Sequence, residues 1–200
     1  MDGASPARCP WCGGDELYRD YHDREWGVPL HDDQRLFEML LLEGFQAGLS
    51  WLTILKKREN FRAAFDGFDP AKVAAYGSDK AEALMADQGI VRNRQKIEAA
   101  IKNAQVFLAL QREFGSFDRY LWSYVNHQPV RHAYQDPVQV PAESETSQTL
   151  SKDLKKRGMG FVGPTTVYAY MQSVGMVNDH LTGCFRHGQL QGGKPIAADG

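Results

Sequence analysis

Long apolar runs are missing from this sequence, and no stretch approaches the length needed to span a membrane. The opening MDGASPARCP also lacks the hydrophobic region of a secretory signal peptide. Alternating β-branched runs are absent while Leu, Ala, Lys, Glu and Arg abound, which predicts a mostly helical protein. There is no surplus of positive charge: 23 Lys and Arg against 25 Asp and Glu give a net charge of −2. A broadly basic nucleic-acid coat is thereby excluded, and any nucleic-acid surface must be a local patch. Cysteine is scarce, and an odd count of three cannot pair fully within the chain. Thiols kept for a metal or for packing in a reducing cytoplasm fit that count better than a disulfide framework. Internal repeats are missing too, and 200 residues suit one domain with a real core.

The elements follow from punctuation and period. Residues 1–8 read as a loose tail, 9–187 as one helical domain and 188–200 as a second tail. Tyr18, Tyr21, His22 and Trp26 crowd a stretch with no clean period, which points to a lined pocket. Aromatics packing a small N-terminal lobe carry nearly equal weight. Asp33 is expected to cap a helix with Leu36, Phe37, Leu40 and Leu41 on its buried stripe. Glu43 stands near its end, with Gly44 and Gly48 marking a break before Trp51 opens the next helix. A glutamate beside glycines and aromatics is a site candidate, although a solvated surface position is the default reading. Asp69-Pro70 and Ser78 open short helices. Ile97, Ile101, Ala104 and Leu108 mark the longest helical stripe, closed by Gly115. A further helix holds Phe117, Leu121 and Trp122, residues 131–145 read as a long loop, and Ser147 is expected to cap the helix of Leu150 and Leu154.

Residues 155–184 carry the densest signals. Gly158 suits the left-handed position after a helix, Gly160 and Gly163 permit a tight turn, and Pro164 fits the first helical position. The amides of Gly163, Thr165 and Thr166 would then lie at a helix N-terminus, with Lys155, Lys156 and Arg157 just upstream. Such a place suits a phosphate backbone. On local sequence alone, a helix–turn–helix core element with a solvated basic end stands ahead of that reading. At the chain's two ends, Cys9-Pro-Trp-Cys12 and His22 face His180-x-x-x-Cys184. Two thiolates and two imidazoles can close a tetrahedral zinc site that is structural, since no position stays open for water. Cys9 and Cys12 compete for one ligand place. The plainer alternative is hydrogen-bonded histidines with cysteines that merely pack.

The blocks YHDREWGVP, LFEMLLLEGFQAGLSW, LKKRENFRAAF, FDP, WSYVNHQP, LSKDLKKRGMGFVGPT and MVNDHLTGC resemble the 3-methyladenine DNA glycosylase I family, over nearly the whole span from Cys9 to Cys184. The resemblance implies an all-α helix–hairpin–helix glycosylase fold with one structural Zn2+ per chain joining the termini through Cys9, His22, His180 and Cys184; Cys12 is an addition. It implies base contacts by Tyr21, Glu43 and Trp51, with Trp11, Tyr18 and Trp26 lining the pocket. DNA contacts would come from Gly160, Gly163, Thr165, Thr166, Lys155 and Lys156, and Leu49, in the Gln46–Leu49 turn, is the candidate for filling the gap in the duplex. Partners would be double-stranded DNA with alkylated purines and the free 3-methyladenine product. No membrane is involved, and the protein is expected to be a cytoplasmic monomer at work on the nucleoid. Many superfamily members place a catalytic aspartate in a Val-Asp-x-His arrangement, but this chain reads Val177-Asn178-Asp179-His180, so Asn178 takes that place and Asp179 is shifted by one. No lysine lies between Lys156 and Lys194 to form a Schiff base. A monofunctional hydrolase of the N-glycosidic bond is expected, with Glu43 at its centre. The competing classes are a non-catalytic DNA-damage binder and a hydrolase with a catalytic zinc.

Overall fold

The computed structural model describes residues 6–191; the expectations for 1–5 and 192–200 lie outside the described residues. In chain order the helices are α1 (Glu16–Arg24), α2 (Asp33–Gln46), α3 (Trp51–Ala64), α4 (Pro70–Ala74), α5 (Ser78–Ala86), α6 (Arg94–Phe114), α7 (Phe117–Ser123), α8 (Glu145–Lys156), α9 (Pro164–Ser173) and α10 (Phe185–Gln191). Two short strands, β1 (Val130–Arg131) and β2 (Val177–Asn178), form a parallel ladder with Val130 opposite Val177. β1 begins just where a bare loop was expected, and the rest of that segment holds one short 3-10 turn, Pro137–Gln139.

Helix α2 is central because its sequence gives it no solvated side. Every residue from Leu36 to Phe45 is buried, and α3, α6, α7 and α9 surround it. A helix apolar all round is stable only when enclosed in this way. The sequence reading errs by one residue at its start: Asp32 is the cap and accepts from the Arg35 N–H, while Asp33 sits in the first turn. The Asp33 carboxylate instead accepts from the Phe117 and Asp118 amides, at 2.9 and 2.8 Å, and so caps α7. Gly44 does not break α2. It lies inside the helix, where a Cβ would come within 3.5 Å of Phe161, and the chain turns only at Gly48, with φ +80°.

Two other local expectations shift. The cap of α8 is Ser144, and Ser147, three residues on, completes a reciprocal capping box with it. The buried face of α6 runs through Ile97, Ala100, Ala104, Phe107 and Leu110, so Ile101 and Leu108 flank the stripe and are only half-buried. Val167, Tyr168, Met171 and Val174 are all buried as expected of the α9 face, and Gly115 and Gly158 take the left-handed helix ends, with φ +87° and +101°.

Buried charge fixes how α1 and α3 meet α2. The Arg58 guanidinium donates to Glu38 at 2.6 Å and to both carboxylate oxygens of Glu25, and Arg62 also reaches Glu38. Removing one member of such a buried set strands its partners, at a cost of about 3–5 kcal/mol. Residues 27–30 are held along the end of α9 by the bonds Gly27 N–H to Gln172 O and Leu30 N–H to Val174 O. Gly175 closes that helix with φ +74°, and a Cβ there would lie 2.4 Å from the backbone of Val28 and Pro29. Gly175→Ala is therefore expected to destabilise the protein by about 3 kcal/mol or more, since both backbone strain and overlap oppose it. A denaturant midpoint equal to wild type would contradict this account.

Candidate functional site

Helix α1, the α2 C-terminal half and the start of α3 enclose a cavity of about 280 Å³. All six aromatic and acidic residues singled out from the sequence line it: Trp11, Tyr18, Tyr21, Trp26, Glu43 and Trp51. Trp11 packs at 4.9 Å from Trp26 and 5.0 Å from Tyr18, while Tyr21 and Trp51 lie 5.5 Å apart. The Trp51 indole N–H is buried without a partner among the described residues, so a donor is held ready in the wall. Gln46, Gln172 and Asp179 add polar groups, and Pro137, Val140 and Leu181 extend the apolar lining. The polar additions were missed in the sequence. Gln172 sits one helical turn after Tyr168, and that spacing toward Asp179 was the available signal.

Glu43 is only 4 % exposed and makes no ion pair among the described residues. Burial pushes its carboxyl up to about 8, with the Ser173 hydroxyl opposing the shift. Burial also raises the Tyr21 phenol well above its ordinary value, with the Glu43 charge adding to it, and raises Tyr18. The pocket is thus an aromatic slot beside Glu43, an acid that ionises most readily when a cation enters. A flat, positively charged heterocycle meets all of those conditions.

Asn178 and Asp179 take different roles. Asn178 is spent on the backbone, donating to His187 O and accepting from the His180 N–H. Asp179 is buried at the pocket wall, where His132 and Tyr168 each donate at 2.6 Å and Gln172 at 2.8 Å.

The predicted metal ligands converge. One donor atom from each of Cys9, His22, His180 and Cys184 lies within 4.8 Å of the others, and all four residues are buried. The two histidines are oriented by their outer nitrogens: His22 Nδ1–H donates to Asp23 at 2.7 Å, and His180 Nε2–H donates to Trp26 O at 2.9 Å. That leaves His22 Nε2 and His180 Nδ1 facing the thiols, a common device for holding ligating imidazoles. The nitrogen–sulfur separations are 3.4, 3.5 and 3.6 Å. A tetrahedral zinc with bonds of about 2.0–2.1 Å to nitrogen and 2.3 Å to sulfur places such pairs about 3.5 Å apart. A hydrogen bond from Cys9, aided by both histidines, pulls the Cys184 thiol far down, and the same contact raises Cys9. This group can bind a metal. Cys12 stands outside it, its thiol donating to Cys9 O at 3.1 Å, which resolves the competition between the two cysteines. His180 and Cys184 are joined by a turn rather than the helical spacing considered from sequence.

The hairpin between α8 and α9 is partly as expected. Pro164 takes the first helical position, and the first helical bond runs from Val167 N–H to Gly163 O, leaving the Thr165 and Thr166 amides ahead of the ladder. Gly160 keeps φ negative; a Cβ there would press on Ala99 at 3.0 Å, and its N–H is taken by Asn103. The positive φ falls on Phe161. Lys155 and Lys156 are exposed, whereas Arg157 is engaged by Glu113 and Asp153. Leu49 is 39 % exposed in the turn between α2 and α3.

Residues 11–187 match the family model described as methyladenine glycosylase. The chain is 51 % identical over 177 residues to the DNA-3-methyladenine glycosylase of Haemophilus influenzae, covering 88 % of this chain and 96 % of that one. It is equally identical to DNA-3-methyladenine glycosylase 1 of Escherichia coli, covering 88 % and 95 %. A Staphylococcus aureus 3-methyladenine DNA glycosylase I structure, solved to explain 3-methyladenine recognition, superposes with a TM-score of 0.87 at 41 % identity, covering 90 % of this chain and 96 % of that one.

The raised Glu43 carboxyl makes a stability prediction. Its folded value lies above the ordinary 4.5, so the folded state holds the proton more tightly and loses stability as pH rises from about 4.5 to about 8. Glu43→Gln escapes that loss. Its denaturation midpoint is expected to exceed that of wild type by a margin that widens between pH 5 and 8; a margin constant over that range counts against the assignment.

Proposed function

The chain belongs to the methyladenine glycosylase family, and from that premise we propose how its pocket excises 3-methyladenine from alkylated DNA. The reaction is hydrolysis of an N-glycosidic bond, the first step of base excision repair. The observation that carries the mechanism is Glu43, an acid sealed among Tyr21, Trp51 and other aromatics with no basic side chain beside it. The methylated base in DNA carries delocalised positive charge, which the aromatic faces attract more strongly than they attract neutral adenine. Its entry lets Glu43 ionise, and the carboxylate accepts a hydrogen bond from the exocyclic amine while balancing the charge. Stacking contributes about 1–3 kcal/mol per base, comparable with the few kcal/mol that extrusion costs. Normal adenine offers no cation to offset the burial of a carboxylate.

A cationic purine is already a good leaving group, so strong acid catalysis is unnecessary. Glu43 holds the base, opposes the developing oxocarbenium charge, and water completes the hydrolysis. Asp179 keeps the wall in place through His132, Tyr168 and Gln172, and Asn178 has no part in the chemistry. With no lysine on α9 to form a Schiff base, the product is an abasic site rather than a cleaved strand. Backbone phosphates are held by the Gly163, Thr165 and Thr166 amides with Lys155 and Lys156, and Leu49 fills the gap left in the duplex. Gly160 supports the hairpin through Asn103 instead of donating to DNA.

Cys9, His22, His180 and Cys184 hold a structural Zn2+, which supplies a closed clamp between the chain's ends. The working protein is read as a cytoplasmic monomer at the nucleoid; three free thiols and a DNA substrate support the compartment.

Three outcomes are expected. Glu43→Gln lowers release of 3-methyladenine from methylated DNA by about tenfold or more, read by chromatography of the freed bases; release at the wild-type rate would remove Glu43 from the mechanism. Brief EDTA treatment leaves turnover unchanged because the four-ligand site is buried and closed. Cys184→Ala, by contrast, loses stoichiometric zinc by metal analysis and lowers the melting temperature. Rapid loss of turnover in EDTA favours a catalytic metal instead.

A further inference from the structure

Lys96 is a buried lysine that neither the base pocket nor the metal cluster explains. It is 8 % exposed and forms no salt bridge among the described residues. Its ammonium donates to Phe45 O at 2.9 Å and to Ala47 O at 2.6 Å, the last carbonyls at the α2 C-terminus. Those carbonyls would otherwise lack partners. Ala47 and Gly48 lead directly into the turn that carries Leu49, and Gln46 closes the turn by donating to Leu49 O at 2.5 Å. Desolvation lowers the Lys96 ammonium, a cost that an exposed surface lysine would not carry.

Seven residues further along α6, two turns on and on the same face, Asn103 grips the hairpin. Its side chain accepts from Gly160 N–H at 2.8 Å and donates to Gly160 O at 3.0 Å. Between the two grips lies Phe161, a bulky residue held at φ +55°, whose Cβ faces Gly44 and whose ring lies 5.8 Å from the Lys96 ammonium. Such a conformation persists only where the surroundings over-determine it. Helix α6 therefore carries both grips on one face, with Lys96 and Asn103 about 10 Å apart along its axis, the rise of two helical turns.

We propose that Lys96 is a positioning residue for base extrusion, fixing the Leu49 turn at a set distance from the hairpin that Asn103 holds. This rests on the reading of Leu49 as the residue that fills the duplex gap. Lys96 touches neither base nor sugar, and it acts on the extrusion step alone by keeping the inserted side chain in register with the anchored backbone.

The test is a double-mutant cycle on the full-length, zinc-loaded protein. Single-turnover release from methylated duplex DNA is measured alongside binding of free 3-methyladenine, followed by tryptophan fluorescence. Lys96→Met is expected to slow release by about tenfold or more, as a misplaced turn would, with free-base affinity unchanged. The variant carrying both Lys96→Met and Leu49→Ala should be no slower than Leu49→Ala alone, because the lysine acts through that turn. Additive losses, a parallel loss of free-base binding, or no loss each overturn the proposal. If Leu49→Ala alone releases base at the normal rate, the wedge reading fails and takes this proposal with it; a slow Leu49→Ala with additive Lys96→Met sinks the Lys96 role only. Should Lys96→Met fail to fold, Gly48→Ala strains the same turn at φ +80° with open space around its Cβ. It should show the same duplex-specific loss, again masked by Leu49→Ala, and its absence or additivity overturns the proposal equally.

Discussion

Keeping one carboxyl group dry is the constraint around which this molecule is arranged. Glu43 lies on a helix buried along its whole length from Leu36 to Phe45, and α3 and α9, which pack on α2, also line the pocket. Enclosure gives the acid its raised proton affinity, and the raised affinity makes an entering cation worth more than a neutral ring. Selectivity and architecture therefore share a cause. A more open pocket would ionise Glu43 in water and weaken the preference for charge.

The surrounding contacts serve to hold that enclosure at fixed dimensions. Arg58 ties α1 and α3 to α2 through Glu25 and Glu38, which sets the aromatic walls opposite the acid. Asp33 caps α7 from the first turn of α2, and Lys96 closes the last turn. One end of the central helix is thus held by its own Asp33 against α7, and the other by Lys96 of α6. The cysteine and histidine cluster does the same for the chain's ends, bringing Trp11 and Trp26 against the segment that carries Asp179.

Much of this was legible in the sequence because it is local or because residue type restricts it. Pro164 at a helix start, Gly115 and Gly158 at helix ends, and the α9 stripe follow from backbone sterics and period alone. The clustering of Cys9, His22, His180 and Cys184 was legible because thiols and imidazoles at the two ends have few other uses together. The choice between Cys9 and Cys12 was not, since it depends on which thiol the 3-10 turn Pro10–Cys12 leaves facing the histidines. Caps slipped wherever two suitable residues competed: Asp32 with Asp33, Ser144 with Ser147. Long-range polar contacts left no trace at all. Nothing near Lys96, Asn103 or Asp33 marks them as partners of groups far off in sequence, because such bonds are decided by packing.

The join between the chain's ends also has a history in time. Cys9 and His180 meet across 171 residues, a span that a ribosome needs on the order of ten to thirty seconds to make at about 5–20 residues per second. Throughout that interval the first-made thiols wait without their partners, and the aromatic wall they help to seat has nothing to close against. Cys184, the last of the four to be made, completes the cluster only when nearly all of the described chain exists.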